Sequence, residues 1–383
     1  MSHRPLTVMQ LIPSLESGGV ERGTLEIADE LVHRGHRSLV VSAGGRMVQP
    51  LVARGSVHIT CPIGRKSPLT VRCVPLLRRM LAEQNVDVLH ARSRVPAWVG
   101  WLAWKSLPPA RRPRFVTTVH GMYSANTYSR IMTRGETVIA VSHAIRDYIL
   151  QSYHHVSADR IQVIHRGIDP AVFPHGFRPG ADWLAQWNKT YPHLRGRKLL
   201  TLAGRITRLK GHMDFLDLLA GLRADGVDAY GLIVGEQDPR RALYAAEVHQ
   251  QASELGLLPN VTFTGHRSDI REIYAISSAV LSLSTKPESF GRTALEPLAL
   301  GVPVVGYDHG GVGEILRTVY PQGAVPRGDA AALRRRVAAL LGERPTTVPP
   351  FTHFRLHEML DREIALYERL VAESTSRPVF RAA

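Results

Sequence analysis

KLLTLAGRITRLKG, residues 198–211, runs from an apolar strand through a basic loop bounded by glycines to the start of a helix. A strand that is apolar throughout is buried on both faces. When a helix follows at once, the strand belongs to a parallel sheet covered on both sides. Downstream the unit repeats: strand AYGLIVG (229–235), a helix at about 240–255, strands VTFTG (261–265) and AVLSLS (279–284), a helix at about 293–300, and strand VPVVGYD (302–308). Upstream the same alternation covers strand LTVMQLIP (6–13), helix 20–34, strand RSLVVSAG (37–44), helix 76–84, strand VDVLHAR (86–92), helix 95–105, strands FVTTVHG (115–121) and TVIAVS (137–142), helix 143–151 and strand IQVIHRG (161–167). Residues 170–197 hold four prolines and three glycines without a clear period, and read as a linker. HFRLHEMLDREIALYERLV (353–371) is a terminal amphipathic helix with apolar positions at 356, 359/360, 364, 366/367 and 370. The expectation is an α/β protein of two doubly wound domains facing across a cleft. Residues 1–175, with 353–383, form the first and 176–352 the second. Ligands then bind beyond the carboxyl ends of the strands.

Composition bounds the partners. The 383 residues are 44% hydrophobic, too apolar for a disordered chain, and 48 Lys and Arg face 33 Asp and Glu for a net +15. That excess calls for an anion: nucleic acid, an acidic membrane surface or a phosphorylated substrate. It is uneven. Residues 1–178 carry 23 cations against 11 anions, and residues 179–383 carry 25 against 22. The two cysteines, Cys61 and Cys73, allow neither a disulfide framework nor a metal cluster and suit a reducing compartment. MSHRPLTVMQLIPS has no signal-peptide layout, and no run reaches the roughly 18 apolar residues of a spanning helix. A cytoplasmic protein, peripheral at the inner face of the cytoplasmic membrane, is expected.

Four loops carry chemistry. SGGVER (17–22) opens the first helix. Gly18 and Gly19 let backbone approach a phosphate at a helix N-terminus, or merely turn the chain. His120, followed by Gly121, ends a strand and is placed to hydrogen-bond a substrate hydroxyl or move a proton. Arg205 and Lys210 in GRITRLKG (204–211) could hold a diphosphate, or form a solvated basic loop. The strongest signal is KPESFGRTALEPLALG (286–301). Glu288 and Glu296 lie eight apart, with Phe290, Gly291, Arg292 and Thr293 over a helix N-terminus suited to nucleotide-sugar phosphates. A carboxylate one turn into that helix can accept two ribose hydroxyls, and one in the loop can accept sugar hydroxyls.

With these motifs in order, the chain resembles GT-B fold glycosyltransferases of glycosyltransferase family 4. The likeness spans most of the chain: GGVER (18–22), HG (120–121), VSHAIRD (141–147), HRGID (165–169), GRITRLKG (204–211), VTFTGHRSD (261–269), ESFGRTALE (288–296) and GGVGE (310–314). The resemblance implies two Rossmann-like domains and a C-terminal helix crossing back to the first. It implies that Arg205 and Lys210 neutralise the leaving diphosphate, Glu296 holds the ribose and Glu288 contacts the donor sugar. His120 then lies by the transferred sugar, Gly18 and Gly19 by the phosphates, and His266 by the base. Transfer retains anomeric configuration, by a front-face route in which the leaving phosphate assists the acceptor. His165 stands where Asn is frequent, GEQD (235–238) lacks a second glycine, and Gly313 replaces a usual Pro. These departures bear on sugar choice, not on the diphosphate or carboxylate groups.

No Asp-x-Asp occurs, so Arg205, Lys210 and the helix dipole are expected to stabilise the leaving group without a metal or other cofactor. The basic N-terminal half suits an acceptor in an anionic membrane or one that is itself phosphorylated. Arg65-Lys66, Arg78-Arg79 and Arg111-Arg112-Arg114 are its candidate clusters. Trp98, Trp101 and Trp104 either pack into the core, the favoured reading, or sit at a membrane interface. The expected function is a hexosyltransferase using a nucleotide-diphosphate sugar on a cell-envelope glycolipid or polysaccharide, above all the lipopolysaccharide core. A soluble enzyme with a small acceptor is the alternative. A nucleic-acid-binding protein is a remote one, because neither a basic helix nor an aromatic platform stands out.

Overall fold

The computed structural model describes residues 4–16, 18–237, 242–342 and 348–375. Ser17, Asp238 of the GEQD loop, the start of the helix expected from 240, and residues 376–383 lie outside them. The chain divides into two compact units, residues 1–167 with 356–383, and residues 168–355.

In the first unit seven strands form one parallel sheet: β1 (Thr7–Leu11), β2 (Arg37–Ser42), β3 (Val57–Thr60), β4 (Val88–Ala91), β5 (Arg114–Val119), β6 (Thr137–Ala140) and β7 (Ile161–Val163), in the order β3-β2-β1-β4-β5-β6-β7. Helices α1 (Gly19–His33), α2 (Val48–Ala53), α3 (Cys73–Glu83), α4 (Arg94–Lys105) and α5 (His143–Ser152) make five of the six crossovers, and a loop with the short turn Ser129–Thr133 makes the one from β5 to β6. β1, β4 and β5 bury nearly every side chain, as strands covered on both faces must. β3 is the edge strand and half-exposed, and lacks the apolar run that would have announced it.

The second unit begins with α6 (Ala181–Thr190) and contains a six-stranded parallel sheet: β8 (Leu199–Ala203), β9 (Tyr230–Val234), β10 (Val261–Gly265), β11 (Ala279–Ser282), β12 (Val304–Tyr307) and β13 (Ala324–Val325), in the order β10-β9-β8-β11-β12-β13. Its other helices are α7 (His212–Ala224), α8 (Ala242–Glu254), α9 (Ile270–Ala275), α10 (Arg292–Ala299), α11 (Gly310–Val319) and α12 (Ala330–Leu340). Helix α6 corrects the linker reading of 170–197. Trp183, Trp187 and Tyr191 recur at four-residue spacing; Trp183 stacks on Trp187 with ring centroids 5.1 Å apart, and Tyr191 packs tilted against Trp187 at 4.5 Å. Trp187 is buried with Leu199, Tyr230 and Leu232 of the sheet. The flanking Pro179 and Pro192 bound this helix rather than exclude it.

The last helix, α13 (Leu356–Thr375), returns to the first unit, as expected. Met359, Leu360, Ile364, Leu366, Tyr367 and Leu370 pack in one cluster with Val8, Val88, Val116 and Ile139 of the sheet. Its inner face is also polar. Glu363, 1% exposed, accepts from Arg92 Nη2 and, at 2.7 Å, from the Tyr367 hydroxyl. Arg92 Nε donates to Gln10 Oε1 at 2.6 Å. His90 joins the Tyr367 hydroxyl and Thr118 Oγ1, each at 2.6 Å. A buried ion pair of this kind fixes register more than it adds stability, and losing one member costs far more than losing both.

Candidate active site

Parallel strands put all their carboxyl ends at one edge of a sheet, and the crevice opens where the strand order reverses. In the second unit that switch point lies between β8 and β11, which are neighbours although far apart in sequence. The loop after β8 carries Lys210 and the loop after β11 carries Glu288. Lys210 Nζ donates to Glu288 Oε1 at 2.7 Å, so the fold joins two residues singled out from sequence. The Ser284 hydroxyl donates to the same oxygen, and Ser284 is itself held through its carbonyl by His309 Nε2 at 2.8 Å. Burial pushes the Glu288 carboxyl up. The Lys210 charge, hydrogen bonds from Lys210 and Ser284, and nearby His309 outweigh burial and hold it below its ordinary value. Glu288 is therefore an acceptor at neutral pH.

The backbone around Glu288 is pinned by glycines. Gly311 N–H donates to the Glu288 carbonyl at 2.8 Å. A Cβ on Gly310, whose φ is 57°, would lie 2.6 Å from that carbonyl oxygen, and one on Gly311 2.3 Å from Phe290 Cα. Phe290 is buried. Gly291, at φ 107°, starts α10, and no side chain caps this helix. Thr293, half-buried, lies in the first turn. Arg292 Nε donates to buried Glu296 at 3.3 Å across one turn. Burial, then the charges of Glu296 and Glu288, drives the hydroxyl of fully buried Tyr274 well above its usual range. Both carboxylates thus act on one side chain.

Arg205 is exposed and makes no ion pair among the described residues. His266 is exposed directly after β10 and carries no contact to the Lys210–Glu288 pair. The arrangement can accept hydrogen bonds at two carboxylates and offer an anion two cations and an uncapped helix N-terminus.

In the first unit, Gly18 precedes α1 with φ 143°, and Gly19 is its first residue. His120 follows β5. Arg166 Nη2 lies 2.8 Å from His120 Nδ1. A guanidinium only donates, so Nδ1 accepts and the ring proton sits on Nε2. Burial first, then the charges of Arg166 and Arg92, push His120 well below its ordinary value. His120 is therefore a neutral donor through Nε2–H, which narrows the two roles left open by the sequence. Arg166, Ser284 and His309 are the residues sequence reasoning passed over. Arg166 stood within HRGID, but its partner lies 46 residues away.

Two doubly wound units in tandem, each a parallel sheet flanked by helices, define the class: an α/β protein of paired Rossmann-like units. Comparison with known proteins narrows the class. Residues 17–172 match the family model "Glycosyltransferase Family 4" and residues 186–348 match "Glycosyl transferases group 1". The chain belongs to glycosyltransferase family 4 and has the GT-B fold. It is 27% identical to the N-acetyl-alpha-D-glucosaminyl L-malate synthase of Bacillus anthracis, over 80% of this chain and 79% of that one. It is 26% identical to the lipopolysaccharide core biosynthesis mannosyltransferase LpcC of Rhizobium leguminosarum bv. viciae, over 78% and 83%. A glycosyltransferase crystal structure from Rickettsia africae superposes with a TM-score of 0.83 at 28% identity, covering 98% of this chain and all of that one.

Proposed function

We propose that this glycosyltransferase moves a hexose, with retention of configuration, from a nucleotide-diphosphate sugar to an anionic envelope glycolipid, above all the lipopolysaccharide core. One observation carries the donor half of this reading: Lys210 and Glu288 meet at the carboxyl edge between β8 and β11, and exposed Arg205 lies on the same loop as Lys210. A leaving nucleoside diphosphate develops negative charge on its bridging oxygen. Arg205 supplies a planar fork, Lys210 a point charge and α10 its N-terminal dipole. Together they perform the task that other folds give to a metal. Glu288 accepts sugar hydroxyls and Glu296 the ribose hydroxyls. Gly18, Gly19, Phe290, Gly291, Arg292, Thr293 and His266 complete the donor contacts. His120 donates through Nε2–H to a sugar hydroxyl.

The acceptor half rests on charge and likeness. The excess of cations before residue 179 suits an anionic acceptor at a membrane surface, and one relative works on the lipopolysaccharide core. Among the described residues no helix is long and apolar enough to cross a membrane, which fits peripheral attachment. A second reading, a small acidic acceptor, is favoured by the likeness to the malate-conjugating enzyme. Thermal-shift measurement against UDP-, GDP- and ADP-sugars tests the donor. A matching nucleotide sugar at 100 times its Kd stabilises by about 2.7 kcal/mol. No shift with any of them overturns the donor assignment. Transfer to a water-soluble acceptor without lipid, and none to a glycolipid, selects the second reading.

A further inference from the structure

The first unit has an apolar groove of about 500 Å³ that the donor chemistry does not use. Val71, Trp98, Leu102 and Tyr128 line it, and Arg65 and Lys66 stand at its rim. The turn Pro68–Arg72 forms one wall. Ser67 Oγ accepts from the Leu69 N–H at 3.3 Å, and Thr70 Oγ1 donates to the Arg65 carbonyl at 2.7 Å. The turn is thus held in a shape that points apolar groups outward. Leu69 is 62% and Val71 58% exposed, and Leu76 and Leu102 nearby are exposed too. Large apolar side chains gathered this way on a soluble face mark an interaction site.

The charge around the groove decides the partner. Residues 31–82 contain nine Lys and Arg and no Asp or Glu, and residues 88–135 contain eight and none. Both groove walls come from these acid-free stretches. Arg65, Lys66, Arg72, Arg78 and Arg79 are all exposed, and none makes an ion pair among the described residues. By contrast Arg112 donates to the Leu107 and Lys105 carbonyls, and Arg114 to Glu136 and the Leu370 carbonyl. Of the free cations, Arg65 and Lys66 line the groove, and Arg72 ends the turn that walls it. Trp101 beside it carries Lys105 at 5.0 Å and Arg134 at 4.8 Å over its ring, and Trp98 Nε1 donates to the Tyr128 carbonyl at 3.0 Å. Aromatic rings with one apolar and one polar end are at home in the headgroup layer.

We propose that the face formed by the 65–72 segment and α4 seats on an anionic phospholipid bilayer. Leu69 and Val71 enter the acyl boundary, the groove shelters an apolar lipid segment, and Arg65 and Lys66 meet headgroup phosphates. This rests on the reading of a membrane-held acceptor and names the surface that would bring the enzyme to it. A protein partner or a second copy would need acidic groups to answer these cations, and no acidic residue lies in either wall.

Flotation of the full chain with vesicles of phosphatidylcholine alone, and of phosphatidylcholine mixed with phosphatidylglycerol, tests it. The wild type is expected to float with the mixed vesicles, not with the neutral ones, and to be released by salt. Leu69→Asp/Val71→Asp is expected to abolish flotation. Arg65→Ser/Lys66→Ser is expected to weaken it about thirtyfold, the loss of two cations near an anionic surface. Both variants should keep the wild-type thermal shift with the nucleotide sugar, which shows that they fold. Equal flotation of wild type and variants overturns the assignment of this surface while leaving membrane attachment intact. Failure of the wild type to float removes membrane attachment itself. Equal binding to neutral vesicles overturns the charge argument. A dimer in light scattering that Leu69→Asp/Val71→Asp dissociates, with no flotation, makes the groove a contact between copies.

Discussion

The two sheets share a topology and use their strand-end cations in opposite ways. In the first unit Arg92 and Arg166 are buried and committed to internal partners: Arg92 to Gln10 and to Glu363 of α13, Arg166 to His120. In the second unit Arg205 is exposed and Lys210 half-exposed, and the partner of Lys210 is a carboxylate on another loop of the same crevice. Charge at a carboxyl edge is therefore not by itself a ligand site. Buried cations there brace the fold and set the state of neighbouring groups. Accessible ones are free to exchange partners with an incoming anion. Net charge does not report on this question, since at the strand ends the more basic half holds the buried, committed cations and the nearly balanced half the accessible ones.

The largest way to break this contrast is to strip Arg92 of its partner. Glu363→Ala leaves a guanidinium buried and uncompensated, and should cost about 3–5 kcal/mol in denaturant unfolding. Glu363→Ala with Arg92→Met should recover much of it. A loss below about 1 kcal/mol would show that Arg92 does not brace α13.

Next comes pH. His90 and His120 are held well below their ordinary values, His90 by burial and then by Arg92 and Arg166. The unfolded chain takes up their protons first as pH falls, so each lowers stability below about pH 6.5, by up to about 1.4 kcal/mol per pH unit. His120→Gln should remove one such contribution and flatten the acid limb of the stability curve. An unchanged limb would mean that His120 is protonated in the fold.

In the second unit the sign is the same, stability falling as pH falls, but the window is that of a carboxylate. Glu288 is held below its ordinary value, so its contribution is present above the unfolded carboxyl pKa and lost as pH falls through the folded one. Lys210→Met removes the largest opposing influence and leaves burial opposed only by the Ser284 hydrogen bond and His309. Carboxyl-carbon NMR should find Glu288 titrating higher than in the wild type. No movement would separate the pair. The smallest effect is expected at the groove rim, where Arg65→Ser/Lys66→Ser should change stability by no more than about 0.5 kcal/mol, since neither residue has a partner to lose.

Much of this was legible in the sequence because local pattern and tertiary role agree. The apolar stripe from 356 to 370 is the face α13 buries, and the strand-loop-helix stretch 198–211 puts Lys210 at the crevice. Where they disagree, the sequence misleads. Prolines and glycines around 170–197 hide the four-residue spacing of Trp183, Trp187 and Tyr191, because turn residues sit at both ends of α6. Strand β3 has no apolar run; its sequence VHIT does alternate, but over only four half-exposed residues, and so short a signal is passed over. Trp98, Trp101 and Trp104 are all half-buried. Trp104 stacks on Phe115 at 5.8 Å and carries Arg112 over its ring, Trp101 carries Lys105 and Arg134, and Trp98 lines the groove. The support for Glu288 from Ser284 and His309, and for His120 from Arg166, comes from separate loops. No periodicity reports such meetings.

The central claim is that the carboxyl edge of the second sheet holds the donor. Steady-state transfer by Glu288→Ala and Lys210→Ala, each shown by circular dichroism to be folded, tests it most directly. The account predicts that both lose transfer, by at least the hundredfold typical of a removed electrostatic group, about 2.7 kcal/mol or more. Full turnover by both variants would contradict it.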